Sequence, residues 1–156
     1  MTEYLVDPRD FTAEALAKIA PACGEGCAPG GVSLVSGAEI YRHRPDLANK
    51  WLWRCQCGAY CGTHPNLSAV GTPAGAATRR ARELAHAAFD PLWRRRAEIS
   101  GLKPSTARGR GYKWLAQQLG MTAKECHIGM MDEATAKLVV GICQDARKSK
   151  KETAGA

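Results

Sequence analysis

The chain has 156 residues, enough for one domain or two small ones. It carries 22 Lys+Arg against 15 Asp+Glu, a net +7, and its 45% hydrophobic and 24% charged residues exclude general disorder. No apolar run approaches the roughly 18 residues of a membrane span, and residues 1–8 lack the basic lead and apolar middle of a signal peptide, so a cytoplasmic protein with no membrane partner is expected.

In chain order, the first element is a short helix from Thr12 to Ala20, capped by Thr12 and stopped by Pro21. Residues 22–64 have little helical periodicity. Gly30-Gly31 marks a turn, and residues 32–35 read as a strand. Ser36-Gly37 turns back into residues 38–41, and a basic loop with Arg42, His43, Arg44 and Pro45 follows. Residues 51–54 and 59–63 are two further strand candidates. Trp51 and Trp53 alternate onto one strand face.

Thr72-Pro73 reads as the cap and first position of a helix whose stripe is Ala77, Ala81, Leu84, Ala88 and Leu92. Asp90-Pro91 predicts a kink or a fresh start, and Arg94-Arg95-Arg96 suits a helix C-terminus. Residues 100–111, with Gly101, Pro104, Gly109 and Gly111, read as a basic flexible loop. A helix from Tyr112 to Leu119 ends at Gly120. Thr122 and Glu125 form a capping box. Asp132 caps a last helix with Leu138, Val139, Ile142 and Cys143 inside, and a frayed basic tail begins at Lys148.

Seven cysteines is a high count for this length, and in a reducing compartment cysteines serve more often as metal ligands than in disulfides. Cys23-Gly-Glu-Gly-Cys27 and Cys55-Gln-Cys57-Gly58 are two close groups separated by strand candidates. Two cysteine-bearing turns supply the four soft ligands of a tetrahedral zinc. Gly24, Gly26 and Gly58 let the backbone turn tightly beside them. A module of about forty residues buries too little apolar surface to fold alone, so a structural Zn2+ also answers a stability problem. The spacings, C-x3-C and C-x-C, leave the fourth ligand open. Cys23, Cys27 and Cys57 are the firmest, and Cys55 is the choice for the fourth, with Cys61 and His64 as alternatives. Cys126 and Cys143 lie in helical context and read as core residues.

The run from Trp53 to Tyr60, followed by Gly62 and His64, resembles the bacterial and phage zinc-finger-containing family of unknown function. So do Arg79-Arg80-Ala81-Arg82, the run from Ala85 to Trp93, the run from Tyr112 to Ala116, and Cys126-His127-Ile128-Gly129-Met130. The resemblance covers roughly residues 20–145. It implies zinc bound by Cys23, Cys27, Cys55 and Cys57 in a protein often borne by phages or prophages. The sequence departs from the family in both cysteine spacings and in having Cys61 where the family is usually aliphatic. The resemblance implies no defined activity.

Between Arg79 and Lys113 ten basic residues face only Glu83, Asp90 and Glu98, so the positive excess is concentrated there. A second patch comprises Arg147, Lys148, Lys150 and Lys151. Clustered guanidinium groups suit phosphate oxygens, and each neutralised phosphate releases counterions. Arg79, Arg80, Arg94, Arg95, Arg96, Arg108, Arg110 and Lys113 are therefore the candidate nucleic-acid contacts. Trp93 and Trp114 read as core. No phosphate-binding glycine loop, HExxH or serine elbow is present, and no catalytic residue is assigned. His86, Asp90 and His127 can be drawn together as a nuclease-like set, but four histidines make such coincidences common.

These readings converge on an α+β protein: a zinc-ribbon-like β module (about 22–64) packed against a mainly helical C-terminal half. The organisation is an N-terminal helical segment (1–21), the zinc-ribbon-like module (22–70), a helical region (71–147) and a basic flexible tail (148–156). The expected function is a zinc-stabilised nucleic-acid-binding accessory protein, phage or prophage related, that contacts DNA or RNA phosphates through its arginine clusters. The alternatives are a phage-type interaction module that meets an acidic surface on a host protein machine, and a metal-dependent nuclease.

Overall fold

The structure, a computed structural model, describes residues 3–154, with side chains to Lys151. The chain divides into two compact units, residues 1–76 and 77–156.

The first unit is built on a three-stranded antiparallel sheet, with β1 (Val32–Ser36), β2 (Trp51–Cys55) and β3 (Tyr60–Gly62) in that order. Register runs from Val32 opposite Cys55 to Ser36 opposite Trp51, and β3 sets Tyr60 opposite Arg54. Ahead of the sheet, α1 (Ala13–Ile19) opens as its sequence predicts, with the Thr12 side chain accepting from the Ala15 amide. The N-terminal strap is tied to the sheet. Tyr4 accepts from the Trp51 amide at 2.9 Å, and the Leu5 amide donates to the Pro65 carbonyl.

Residues 38–41 do not form a strand. Residues 38–40 belong to a one-turn helix, α2 (Gly37–Ile40), and Tyr41 is its C-cap. The Gly37 amide closes the β1–β2 ladder on the Lys50 carbonyl at 2.7 Å, and the chain then curls so that Tyr41 donates back to Gly37. A Cβ at Gly37 would collide with the Leu47 carbonyl, so only glycine fits there.

Trp53 is 1% exposed and anchors the unit. Its indole donates to the Leu67 carbonyl at 2.9 Å. Leu67 is the one described non-glycine residue at positive φ (71°). The conformation is strained for a branched side chain. It is held by the buried Leu67 side chain, by the bond from the Leu67 amide to His64, and by the Asn66 side chain receiving the Ser68 amide.

The second unit comprises α3 (Ala76–Ser100), which opens on the last residue of the first, then α4 (Pro104–Leu119) and α5 (Glu133–Ala154). Its core gathers Ala81, Ala85, Phe89, Leu115, Ile128, Val139 and Cys143. Helix α3 starts later than Thr72-Pro73 suggests. Pro73 is buried and accepts from the Gly24 amide, and Ala74 bridges to Tyr60, so this segment closes the first unit instead.

The buried face of α3 is Thr78, Ala81, Arg82, Ala85, Ala88 and Phe89. Ala77 and Leu84 point outward, a correction to the expected stripe. In an alanine-rich helix two neighbouring stripes look equally apolar, and Phe89 decides between them by volume. Pro91 lies within the helix, which continues past Arg96 to Ser100. Proline there removes the amide that the Ala87 carbonyl would accept. Ala87 is exposed and open to water, and the next carbonyl, that of Ala88, accepts from Arg147 of α5 at 2.9 Å.

The largest departure from expectation is α4. Residues 104–111 are helical rather than a flexible loop. Two glycines each cost a helix about 1 kcal/mol, but Ala107, Tyr112, Leu115 and Ala116 bury one face against the core and offset that cost. Gly111 lies against α3, where a Cβ would come within 3.2 Å of Phe89 and Trp93. Gly120 ends α4 at φ 69°. Thr122 and Glu125 form the capping box in both directions. Asp132 caps α5 through the Thr135 amide. Leu138 is 60% exposed, so the inner face of α5 is Ala136, Val139 and Cys143. Residues 148–154, the described part of the expected basic tail, belong to this helix.

A four-cysteine centre and a basic groove

The first site is built by two turns of the N-terminal unit. Gly26 and Gly58 both have positive φ (80° and 95°), which folds the chain back beside each cysteine group. The tight turn between β2 and β3 is closed by Cys55 and Ala59 pairing at 2.8 Å and by the Gly58 amide on the Cys55 carbonyl. The first turn is held from the side, with Glu25 receiving the Gly75 amide at 2.8 Å.

The sulfurs of Cys23, Cys27, Cys55 and Cys57 all lie within 4.8 Å of one another, and Cys23 and Cys57 are 3.8 Å apart. Four thiolates at about 2.3 Å from one tetrahedral Zn2+ stand about 3.8 Å from each other. Backbone amides two residues on are aimed at the sulfurs: Glu25 at Cys23 (3.4 Å), Cys57 at Cys55 and Ala59 at Cys57. Such donors stabilise thiolate charge. The Ala59 amide and then Cys27 lower the Cys57 thiol, while Cys57 first, with Cys23 and Cys55, pushes Cys27 up to about 12. Four thiols this close resist joint ionisation unless a dication sits among them. Cys23 and Cys55 are buried beside Ala59 and Val32, and Cys27 and Cys57 face outward.

Cys61 is in β3 opposite Trp53, and His64 is exposed. Neither joins the cluster. Cys126 and Cys143 are fully buried in the helical core, where burial raises both thiols, Cys143 to about 11. Among the described residues no second group of His, Cys, Asp or Glu converges as a metal set. His86 contacts Asp90 (3.4 Å), Asp90 accepts from the Trp93 indole (3.1 Å), and His127 packs on the Tyr112 ring.

The second site is a groove in the helical unit, lined by all three of its helices and enclosing about 950 Å³. Its apolar lining includes the half-buried Leu92, Trp93 and Trp114 and the exposed Ile99. It is also lined by Arg95 and Arg96 of α3, Arg110 of α4, and Arg147, Lys148, Lys150 and Lys151 of α5, with no carboxylate among the described lining residues. Two basic patches far apart in sequence therefore meet on one feature. Trp93 and Trp114 are half-buried, resting on the core and lining the groove.

Of the other candidate phosphate contacts, Arg80 pairs with Glu83, Arg94 stands over the Trp93 ring, and Arg108 stands over Tyr112. Arg79, half-buried, and the exposed Lys113 lie outside the groove lining. Arg82, in the same basic run, is buried and structural. Sequence reasoning misses the groove because residues 104–111 and 148–154 are not recognised as helical. Trp93 next to Arg94 and Trp114 next to Lys113 are the local hint.

A small antiparallel sheet, four cysteine sulfurs gathered from two turns and a mostly helical C-terminal half define a zinc-finger class of α+β protein. The chain belongs to the family described as a zinc-finger-containing domain, whose model matches residues 18–146. No curated protein and no solved structure matches it. No helix among the described residues is long and apolar enough to cross a membrane.

Proposed function

We propose that the protein is a zinc-stabilised nucleic-acid-binding accessory protein. Zn2+ is held by Cys23, Cys27, Cys55 and Cys57. Four thiolates leave no open coordination position, so the metal holds the fold and performs no reaction. The phage or prophage setting rests on the family resemblance alone.

The observation that carries nucleic-acid binding is the groove, where seven cations from three helices stand together and none of the described lining residues is a carboxylate; the nearest one shown, Asp90, is held by the Trp93 indole. Holding like charges this close opposes folding, and a polyanion relieves it while releasing its own counterions. The test is fluorescence anisotropy of the zinc-loaded protein with labelled single- and double-stranded DNA and RNA at two salt concentrations. Binding should weaken steeply with salt. Replacing Arg95, Arg96 and Arg110 together by alanine should lower the salt slope by about 2 on a single strand, at about 0.7 per phosphate. Replacing Arg79, Arg80 and Lys113, which lie off the groove, should leave more of the slope intact. Absence of binding at low salt overturns the reading.

A further inference from the structure

We infer that the groove of the helical unit is a site for single-stranded nucleic acid, with bases stacked on its tryptophans and phosphates on its cations. The inference deepens the proposed function and rests on it.

Cations alone suit any polyanion, duplex included. The apolar lining is what discriminates. Trp93 and Trp114 line the groove together with Leu92 and Ile99 and with the cations Arg96, Arg110 and Lys148. A duplex keeps its bases stacked on each other and offers sugar, phosphate and base edges but no base faces along its length, which leaves the indoles without a stacking partner. A single strand offers both surfaces at once. Its bases have flat apolar faces for the indoles, and its backbone carries a charge at every step for the cations.

The Trp93 platform is also fixed before any ligand arrives. Its indole nitrogen donates to Asp90 at 3.1 Å, and the Arg94 guanidinium stands 5.3 Å from the ring centroid. Below it, Gly111 brings α4 close enough that a Cβ would be 3.2 Å from the Trp93 Cβ. A volume of about 950 Å³ is at the upper end of small-molecule sites, suited to a short stretch of nucleotides and too small for a duplex to enter. An acidic amphipathic peptide is the competing occupant. The indoles fit stacking against flat rings, and the cations of the lining fit a ligand charged at every repeat, so the observations favour the nucleic acid.

The experiment compares three labelled probes on the full zinc-loaded chain: a short oligothymidylate, its duplex with oligoadenylate, and an abasic strand of equal length. The base-bearing single strand should bind at least about tenfold tighter than either of the others. Trp114→Leu should bring its affinity down towards that of the abasic strand while leaving abasic binding and the salt slope unchanged, because no cation is lost. Should that variant misfold, the abasic comparison on the unaltered protein still decides. Equal affinity for all three probes overturns the inference and leaves the phosphate-binding reading standing. No binding of any probe at low salt overturns both, and an acidic peptide becomes the occupant to pursue.

Discussion

Arg82 of α3 donates through Nε to the Met131 carbonyl at 2.7 Å, fixing the segment that leads into α5 from inside the helical core. Arg82 is only 8% exposed, although it sits in a run of surface arginines. Removing it leaves a buried carbonyl short of its charged donor, which costs about 1.5–3 kcal/mol. Arg82→Ala should lower denaturant stability by that amount, whereas Arg95→Ala and Arg96→Ala should each stay within about 0.5 kcal/mol. Equal midpoints for all three variants would contradict the structural role of Arg82.

Metal removal should separate the two units. The sheet unit has a small core around Trp53, while the helices carry a larger one of their own. Chelation is expected to release one zinc per chain and change tryptophan emission from β2, while most of the helical circular dichroism is retained. Cys57→Ser should abolish stoichiometric zinc binding and Cys61→Ser should preserve it, as read by a colorimetric zinc assay. Retention of zinc by Cys57→Ser would remove it from the ligand set.

The two glycines of α4 should respond in opposite directions. A Cβ at Gly109 meets nothing within 4 Å, so Gly109→Ala should raise stability by about 0.5–1 kcal/mol through helix propensity. At Gly111 the added methyl meets Phe89 Cζ and Trp93 Cβ at 3.2 Å. Phe89 is packed in the core and Trp93 Cβ is fixed to the α3 backbone. Gly111→Ala should therefore lower stability by about 1–3 kcal/mol through overpacking. Thermal melts of both variants check the pair.

Asp132 is held below its usual range, chiefly by the Thr135 side chain and then by the Thr135 amide. A carboxyl depressed in the folded state contributes stability that is complete above its unfolded pKa. That contribution is lost as pH falls through the lower folded value. Asp132→Ala should cost about 1 kcal/mol at neutral pH, and the difference from wild type should shrink towards zero as pH drops below about 3.9, the usual value for an aspartate, and through the lower folded pKa. A pH-independent difference would argue against a cap set by the ionised carboxylate.

What the sequence by itself determines here is what neighbours along the chain decide. The Thr12, Thr122–Glu125 and Asp132 caps, the Gly120 terminus and the three strands follow from residues a few positions apart. So does the gathering of cysteines on glycine turns, because a left-handed glycine beside Cys27 or Cys57 is a local requirement. Tertiary structure decided the rest. Residues 104–111 are helical because burial of Ala107 and Tyr112 outweighs the glycine penalty, which local propensity cannot register. The outward turn of Leu84 and Leu138, and the inward turn of Arg82, depend on which face meets Phe89 and Val139. The exclusion of Cys61 from the sulfur cluster depends on strand register, which sets it opposite Trp53. The groove is the clearest case. Arg96, Arg110 and Lys148 become neighbours only once three helices pack, because charge along a sequence carries no information about which cations share one volume of space.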